Sequence, residues 1–511
     1  RHNNNKKKKE YNEDKNILIT KENDIVTLPE YEIRHSDVFG RYLVAARDLS
    51  TSEIIIQQLP LVVGPIANDE NAPICLSCNQ ALEIDNSFRC FGCKFPLCSA
   101  HCTNRIHTKF ECQYLKTHNI FQYLHLNEHR SELENDYEAI TVLRCLMLKI
   151  SSEQSWKQLN EMESHNEIRK NMPALWNRNQ KVIVDRIRKK WKLEEFSEDE
   201  IHTICGILEV NCFEVGGNKG TSARALFPEA YLMCHDCVPN TNHTDDPITH
   251  ELTVRTTKTI KKGEVISLSY AYTLQGTLKR RQHLNEAKFF WCICERCKSS
   301  DELSTHASTL LCPKCTYGFI LSSNPLDENA EWRCSKCSFS LAAQFVMNLV
   351  TKLFDELDAI GGNNVIEIEG FMRKYSRTLH NNHYIFLSAK HSLCQLLGKV
   401  EGYLINELNA ELLKRKEDLC RDLLEVIDVL EPGSSRLRGV ILYELHAPVM
   451  LQLTRELQMG RIKNSDFKRR LKEVVQILNE SYKILQYEPE NSSENQMAVA
   501  AKSALDSMVE K

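Results

Sequence analysis

The spacing of the cysteines constrains the fold of this chain more than any other feature. The chain has 511 residues and 21 cysteines, and most of the cysteines fall in pairs of the form Cys-x-x-Cys or Cys-x-Cys. Such pairs in a short secreted chain would indicate disulfides, but this chain is long, and residues 1–14 lack the apolar core of a secretory signal. Close pairs of thiols are typical of zinc sites. The pattern predicts zinc and a reducing compartment, the nucleus or the cytoplasm.

A first group of metal ligands lies within residues 75–112. Zinc binds four nitrogen or sulfur ligands in a tetrahedron, so the eight ligands of this group make two zinc ions. The segment has too few apolar residues to form a core without metal, and its folding is therefore expected to depend on zinc. The ligands are Cys75, Cys78, Cys90, Cys93, Cys98, Cys102, His107 and Cys112.

A second group, Cys292, Cys294 and Cys297, places three ligands within six residues and lacks a fourth. Tetrahedral zinc needs that fourth ligand. The spacing alone leaves Cys234, Cys237 and a histidine as alternatives.

A third group consists of two Cys-x-x-Cys pairs, 312–315 and 334–337, separated by 18 residues. This is the spacing of a zinc ribbon. Each pair encloses one lysine, Lys314 or Lys336. So little positive charge favours structural support over nucleic-acid recognition. The ribbon ligands are Cys312, Cys315, Cys334 and Cys337.

Composition excludes several classes of function. Apolar residues make up 42% of the chain and charged residues 26%, which is typical of globular proteins. The formal net charge of −4 provides no global positive field for nucleic acid or for an anionic membrane. The basic run 186–192 is typical of a solvated helix face, which argues against direct nucleic-acid binding. No apolar stretch approaches the roughly 20 residues that cross a bilayer, so no membrane partner is predicted.

The order of patterns along the chain predicts two or three domains, because the chain is too long for one core. Residues 1–25 are polar and are predicted to be disordered, and the absence of an initial Met indicates a fragment or a processed chain. Two β-rich zones, 31–65 and 206–272, are expected to share one sheet. Beyond residue 341 the breaks predict about six helices, arranged as tetratricopeptide-like (TPR-like) pairs or as an irregular bundle.

Several stretches resemble the SET and MYND domain-containing (SMYD) family. The resemblance covers about residues 30–340 by motif and the helical C-terminus by architecture. The ribbon and the segment Gly40-Arg-Tyr-Leu-Val-Ala-Ala-Arg-Asp-Leu resemble the arthropod branch of the family in particular. The other stretches are Asn211-Cys-Phe-Glu-Val, Leu226-Phe-Pro-Glu-Ala-Tyr-Leu-Met-Cys-His-Asp-Cys-Val-Pro-Asn, Gly263-Glu-Val-Ile-Ser-Leu-Ser-Tyr270 and Phe290-Trp-Cys-Ile-Cys-Glu-Arg-Cys.

The resemblance implies an α+β fold in which a β-rich SET domain is split by a MYND zinc finger and followed by an all-α, TPR-like domain. The implied parts are a disordered tail at 1–25, the first part of SET at 26–74, MYND at 75–112, a helical SET insertion at 113–205, the second part of SET at 206–274, a post-SET zinc site with the ribbon at 275–340, and the helical domain at 341–511.

The resemblance also pairs the zinc ligands. It implies a cross-braced MYND finger, with the first and third cysteine pairs on one ion and the second pair, His107 and Cys112 on the other. Four residues separate His107 from Cys112, where the family usually has three, so His101 is the alternative ligand. Cys237 would complete the post-SET site. The total predicted is four zinc ions.

The resemblance implies that S-adenosylmethionine is the cofactor and that a lysine of a protein is the substrate. Tyr270 would be catalytic, and Phe213 and Tyr272 would line an aromatic channel for the target lysine. The implied cofactor-binding residues are Gly40, Arg41, Tyr42, Asn211, Cys234, His235 and Phe290.

Two departures from the family pattern support a second hypothesis. Tyr42 stands where the family has its second glycine, and Cys234 stands where it has an asparagine whose amide contacts the cofactor. The alternative function is a SET-fold scaffold with weak or no catalysis that acts as a transcriptional corepressor. In it the MYND finger would dock proline-containing peptides and the helical domain would recruit further partners.

Overall fold

The computed structural model describes residues 29–66, 73–83, 88–102, 106–123, 130–216, 222–361, 364–490 and 492–509. Of the first 28 residues it describes only the backbone of three short strands, β1 (Glu10–Asn12), β2 (Ile17–Ile19) and β3 (Ile25–Thr27). The predicted disordered tail otherwise lies outside the described residues, and the domain limits stay predictions.

The two β-rich zones pair with each other, as expected, but in two separate sheets rather than one. Strand β7 joins the sheet order β10-β11-β7, and β6 joins the order β13-β14-β6. Two further pairs are the β4-β5 hairpin and the short parallel pair β12-β15. The strands are β4 (Tyr31–Ser36), β5 (Gly40–Ala45), β6 (Ile54–Gln58), β7 (Val62–Pro65), β10 (Phe213–Gly216), β11 (Ser222–Leu226), β12 (Cys234–His235), β13 (Thr241–Asp245), β14 (Leu252–Thr256) and β15 (Ser267–Leu268).

The segment between β7 and β10 forms the zinc-finger region, with strands β8 and β9, and then a helical insertion. Helix α2 packs directly on β7, and a Cβ at Gly64 would lie 2.1 Å from the Thr141 hydroxyl. Helix α6 begins with a capping box between Ser197 and Glu200. The elements are β8 (Phe88–Arg89), β9 (Pro96–Leu97), α1 (Lys109–Thr117), α2 (Arg130–Ser151), α3 (Glu153–Asn160), α4 (Asn166–Arg169), α5 (Pro173–Asn179) and α6 (Glu198–Asn211).

The C-terminal half begins with α7 and the ribbon strands and continues as a helical domain. Its described residues beyond 341 form seven helices instead of six, because the chain also breaks after α11, where Gly398 and Gly402 adopt positive φ angles. The elements are α7 (Thr277–Lys288), α8 (Glu295–Lys298), β16 (Leu310–Leu311), β17 (Phe319–Ser322), β18 (Trp332–Cys334), β19 (Ser340–Leu341), α9 (Ala343–Ile360), α10 (Val365–Tyr375), α11 (Tyr384–Leu396), α12 (Ala410–Leu430), α13 (Arg436–Gln458), α14 (Asn464–Leu485) and α15 (Ser493–Val509).

The loop between α12 and α13 docks the helical domain on the SET strands. The Ser434 amide donates to the Thr257 carbonyl at 2.7 Å. Gly433 has a φ of +83°, and a Cβ there would lie 2.0 Å from the same carbonyl oxygen. The Asn242 side chain donates to the Ser434 carbonyl at 3.2 Å. Only glycine permits this approach, so the loop fixes where the two domains meet.

Candidate functional site

Four sets of ligands converge as zinc requires. Each set offers four ligand atoms within 4.8 Å of one another among the described residues. A zinc ion about 2.3 Å from each sulfur holds tetrahedral sulfurs about 3.8 Å apart. The Sγ atoms of Cys75 and Cys102 are 3.8 Å apart, and those of Cys78 and Cys98 are 3.7 Å apart. The donor sets therefore fit four zinc ions and confirm the predicted number of sites.

The second MYND site contains His107. Its Nε2 lies 3.6 Å from the Cys90 Sγ and 3.5 Å from the Cys93 Sγ, whereas His101 is exposed and outside the set. The structure groups the ligand atoms in the cross-braced arrangement. The other side of the His107 ring, Nδ1, lies 3.0 Å from a carboxylate oxygen of Glu111, which orients the ring toward the metal.

Glu111 connects this site to the helical insertion. Its other carboxylate oxygen accepts from Arg144 at 2.8 Å, and Arg144 also donates to the Val63 and Leu76 carbonyls. Burial would raise the pKa of Glu111, but the charges of Arg144 and His107 hold that pKa below its ordinary value. The carboxylate thus stays ionised beside the histidine, in an arrangement that the spacing of the cysteines did not reveal.

Replacing His107 with alanine is expected to remove one zinc ion from the folded chain and to lower its melting temperature, because the ligand and its link to Glu111 are both lost. His101→Ala is the matched control and should keep all the zinc, since His101 is exposed. Metal analysis of the two purified variants measures the difference. The opposite result, with zinc lost only from His101→Ala, would contradict the assignment.

The post-SET site takes Cys237 as its fourth ligand, as the resemblance implied. The Cys237 Sγ lies 3.9 Å from that of Cys292 and 3.6 Å from that of Cys297. Arg280, which is fully buried, donates to the Cys237 sulfur at 3.3 Å. A cation beside four thiolates offsets the net negative charge of a zinc site of this type. Cys234 lies outside the set.

The ribbon site repeats this geometry. The Sγ atoms of Cys312 and Cys337 are 3.7 Å apart, as are those of Cys315 and Cys334. A Cβ at Gly318 would lie 2.4 Å from the Cys334 sulfur, so only glycine allows the backbone to approach the ligands this closely. The predicted ribbon is confirmed as a four-cysteine site within the order β16-β17-β18-β19.

One aromatic cluster contains Tyr270, which follows β15, together with His235 of β12 and Phe290, which follows α7. The ring centroids of His235 and Tyr270 are 5.3 Å apart, and those of Tyr270 and Phe290 are 6.5 Å apart. The Tyr270 amide donates to Nδ1 of His235 at 2.9 Å, so the ring proton of His235 is on Nε2, 3.2 Å from the Cys237 sulfur. His235 therefore joins the post-SET ligands to the backbone of Tyr270.

The Tyr270 hydroxyl donates to the Met233 carbonyl. Burial, with a smaller contribution from Cys234, raises the pKa of this phenol above its ordinary value. The hydroxyl is therefore neutral at pH 7, and its oxygen keeps lone pairs for another group. Lys288 Nζ lies 6.0 Å from the centre of the same ring and donates to the Val210 carbonyl at 2.8 Å.

Two predicted cofactor residues meet a segment that the sequence did not suggest. The Arg41 guanidinium donates to the Glu161 carbonyl and, at 2.9 Å, to the Tyr231 hydroxyl. The Asn211 amide donates to the Glu163 carbonyl at 2.8 Å. The segment after α3 therefore belongs to the candidate site. No local motif marks it, because it reaches the site through packing of the helical insertion.

The remaining predicted residues are divided between two places. Phe213 packs edge-on against Phe227 and His243, with centroids 5.5 Å apart in both cases, and is not part of the Tyr270 cluster. Tyr272 is 51% exposed and lines a cavity at the boundary with the helical domain. Phe213 and Tyr272, which were expected to line one channel, thus lie in different places and outside the Tyr270 cluster of rings.

The predicted cofactor residues on β5 and β12 have the following surroundings. Gly40 has a φ of +64°, and no atom lies within 4 Å of where its Cβ would be. The ring of Tyr42 packs at a tilt against that of Phe39, with centroids 5.3 Å apart. The Cys234 sulfur lies 3.9 Å from the Ile266 carbonyl oxygen, and burial raises the pKa of this thiol to about 12. Cys234 is consequently a neutral, weakly polar group.

A family model described as SET domain matches residues 40–271, a range that begins at Gly40 and ends next to Tyr270. The SET domain-containing protein SmydA-8, isoform A, of Drosophila melanogaster is 23% identical over 433 residues, which cover 82% of this chain and 88% of that protein. These matches confirm that the chain contains a SET domain and resembles the SET and MYND domain-containing family. Its similarity to SmydA-8 over both lengths confirms the arthropod-type branch.

Two further matches cover different shares of the chain. Histone-lysine N-methyltransferase Smyd1 of Mus musculus is 24% identical over 298 residues, covering 54% of the chain and 57% of that protein. A solved SET domain of LSMT, described as bound to lysine and AdoHcy, aligns over 94% of the chain and 88% of its own length at 14% identity with a TM-score of 0.26, which is too low to support any argument. Among the described residues no helix has the length and apolarity needed to cross a membrane.

Proposed function

We propose that this chain transfers a methyl group from S-adenosylmethionine to a lysine of a protein substrate. The observation that carries the proposal is Tyr270, a partly buried and neutral phenol whose hydroxyl donates to the Met233 carbonyl within the cluster of His235 and Phe290. The name of the related mouse protein, Histone-lysine N-methyltransferase, supports the same class of reaction.

The residues around this cluster fit the proposed cofactor in most respects. Open space beside Gly40 lets a ligand approach the backbone of β5. Arg41 and Asn211 converge on the segment at 161–163, and Phe290 offers an aromatic ring for a cationic group. S-adenosylmethionine, when bound, supplies an electrophilic methyl group on a sulfonium. These residues would hold and orient it.

The protein must also make the target amine neutral. A lysine with an ordinary pKa of about 10.4 costs roughly 4 to 5 kcal/mol to deprotonate at pH 7. Burial among the rings of Tyr270 and Phe290 lowers the amine pKa by removing water. The oxygen of Tyr270 can then accept from the amine N–H and orient its lone pair, because the phenol proton is already committed to the Met233 carbonyl.

Lys288 adds to this effect. Its ammonium lies 6.0 Å from the centre of the Tyr270 ring and forms no ion pair among the residues that the structure describes. Burial lowers the pKa of Lys288, but the carbonyls of Glu209 and Val210 at the end of α6 accept hydrogen bonds from its ammonium. A nearby positive charge lowers the pKa of an incoming amine further.

A second candidate function, a SET-fold scaffold with weak catalysis, is favoured by one observation. Cys234 is a neutral thiol next to the cluster, at the position where the family has an amide. Such a chain would recruit proteins through the MYND finger, which is predicted to dock proline-containing peptides, and through the helical domain. It would act as a corepressor in the nucleus or cytoplasm.

Isothermal titration of S-adenosylmethionine against the purified chain, followed by transfer of a labelled methyl group to a protein extract, tests the two functions. Methyltransfer requires both binding and labelled protein. Binding without any labelled protein would favour the scaffold.

Cys234→Asn is expected to tighten S-adenosylmethionine binding by about 10-fold or more, because one recovered polar contact contributes roughly 1 to 3 kcal/mol. Cys234→Ser is the matched control, since it adds a polar atom of similar size but no amide, and we expect a smaller gain. Thermal melting with and without the cofactor measures both variants. A lower melting temperature with no larger cofactor-induced shift in Cys234→Asn would show that Cys234 is only a packing residue.

A further inference from the structure

A cavity of about 230 Å³ lies where the SET strands meet the helical domain. One wall comes from the end of β15 and the residues on both sides of Tyr270, and the opposite wall includes Glu431, Ser435 and Arg436 from the two ends of the docking loop. Its volume is below the roughly 300 Å³ at which pockets for drug-sized ligands begin. The cavity therefore has room for a single long side chain and not for a folded segment.

The carboxylate of Glu431 lies within the influence of Arg296 and Arg436 but contacts neither of them directly in the described part of the chain. It accepts a hydrogen bond from the Thr273 hydroxyl, and it forms no ion pair with any of the described residues. Burial raises the pKa of Glu431. Beside it, burial and then the charge of Glu431 raise the pKa of Tyr272 to about 12. The wall thus combines a half-exposed aromatic ring with a carboxyl group that has no direct ion pair among the described residues.

The single arginine of the cavity does not neutralise Glu431, because its own contacts lie elsewhere. Arg436 pairs with Glu488 at 2.8 Å and donates to the His243 carbonyl at 2.8 Å. Asp245 is also close to Arg436, and burial raises the pKa of Asp245. The direct contacts of Arg436 are thus made away from Glu431, and a further cation in the cavity could form a direct ion pair with that carboxylate.

We propose that this cavity binds a second basic side chain of the protein substrate, an arginine or lysine that flanks the target lysine. The proposal rests on the proposed methyltransferase function. Glu431 supplies the carboxylate, which a guanidinium can engage with two parallel hydrogen bonds, and the ring of Tyr272 supplies a face for the cation. Thr273 holds the carboxylate in place. Because Tyr272 is two residues from Tyr270, one extended peptide can reach both positions.

The experiment measures fluorescence anisotropy of short, labelled, lysine-centred peptides on the full chain. Each flanking position carries in turn arginine or citrulline, its neutral isostere. At one position or more, the arginine peptide should bind about 10-fold more tightly than the citrulline peptide. Glu431→Gln should abolish this preference while leaving the affinity for citrulline peptides unchanged. Glu425→Gln, which removes an exposed carboxylate from α12, is the matched control and should keep the preference.

Tyr272→Leu provides a second variant, because Tyr272 is 51% exposed and the substitution leaves the Glu431 side chain unchanged. It should also reduce the preference for arginine. Equal binding of arginine and citrulline peptides to the native chain, a preference that survives in Glu431→Gln, or no binding of any peptide would each overturn the proposal. A clear arginine preference without labelled product would overturn the methyltransferase function instead, so the two failures are distinguishable.

Discussion

Replacing Tyr270 with phenylalanine is expected to reduce methyl transfer at least 100-fold while leaving zinc content unchanged. The substitution removes one oxygen and little volume. Its hydroxyl donates to the Met233 carbonyl and is proposed to orient the amine only at the reacting centre, so its loss should act on kcat more than on KM. Loss of that hydrogen bond should cost only about 1 kcal/mol of stability.

The measurement compares kcat, KM, cofactor affinity and metal content in the native chain and the variant. Tyr317→Phe is the matched control, because Tyr317 is 71% exposed on the ribbon and should tolerate the change without effect. Unchanged turnover in Tyr270→Phe would mean that the reacting centre lies elsewhere. A native chain that binds S-adenosylmethionine but labels no protein would favour the scaffold function.

Replacing Cys237 with serine is expected to lower the zinc content from four ions per chain to three and to destabilise the protein strongly. The Cys237 sulfur is the fourth post-SET ligand and also accepts from Arg280 and faces Nε2 of His235. Structural zinc contributes about 10 kcal/mol or more to folding, and Arg280 would lose an anionic partner while remaining buried. The melting temperature should fall by about 10 °C or more.

Cys205→Ser is the control for this prediction, because Cys205 is buried and belongs to none of the four ligand sets. It should lower stability by the cost of burying a hydroxyl and keep four zinc ions. Metal analysis and thermal melting distinguish the two variants. A native chain with two or fewer zinc ions, or a Cys237→Ser chain that keeps four, would contradict the assignment of the ligands.

The zinc sites could be predicted from the sequence because each Cys-x-x-Cys pair is local. Two thiols three or four residues apart can reach one ion in almost any turn, so the cysteine ligands of the MYND and ribbon sites follow from spacing. The pairing of the MYND ligands came from the resemblance, and the choice of His107 over His101 came from the structure. The fourth post-SET ligand is different. Cys237 lies 55 residues before Cys292. Only the packing of the segment after β12 against α8 shows that Cys237, and not Cys234, is the ligand. The resemblance identified it, and spacing did not.

In the candidate active site, too, the sequence revealed residues that lie in motifs but not contacts between distant segments. Tyr270, His235 and Phe290 were found through motifs, and the structure places their rings together. The contacts of Glu111 with Arg144, and of Lys288 with the end of α6, join residues far apart in the chain and have no local signature. Glu431 is likewise 158 residues from Thr273, with which it shares a hydrogen bond.

By itself, the sequence determined the metal, the identity of nearly every ligand, the family and the all-helical character of the C-terminus. These properties depend on residue type and short spacing, which the chain carries regardless of how its parts pack. The tertiary structure alone decided which strands share a sheet, where Phe213 and Tyr272 lie, and which charges remain unpaired at the domain boundary. Those outcomes depend on long-range packing, because a partly buried carboxylate such as Glu431 gains or lacks a partner only when two distant segments meet.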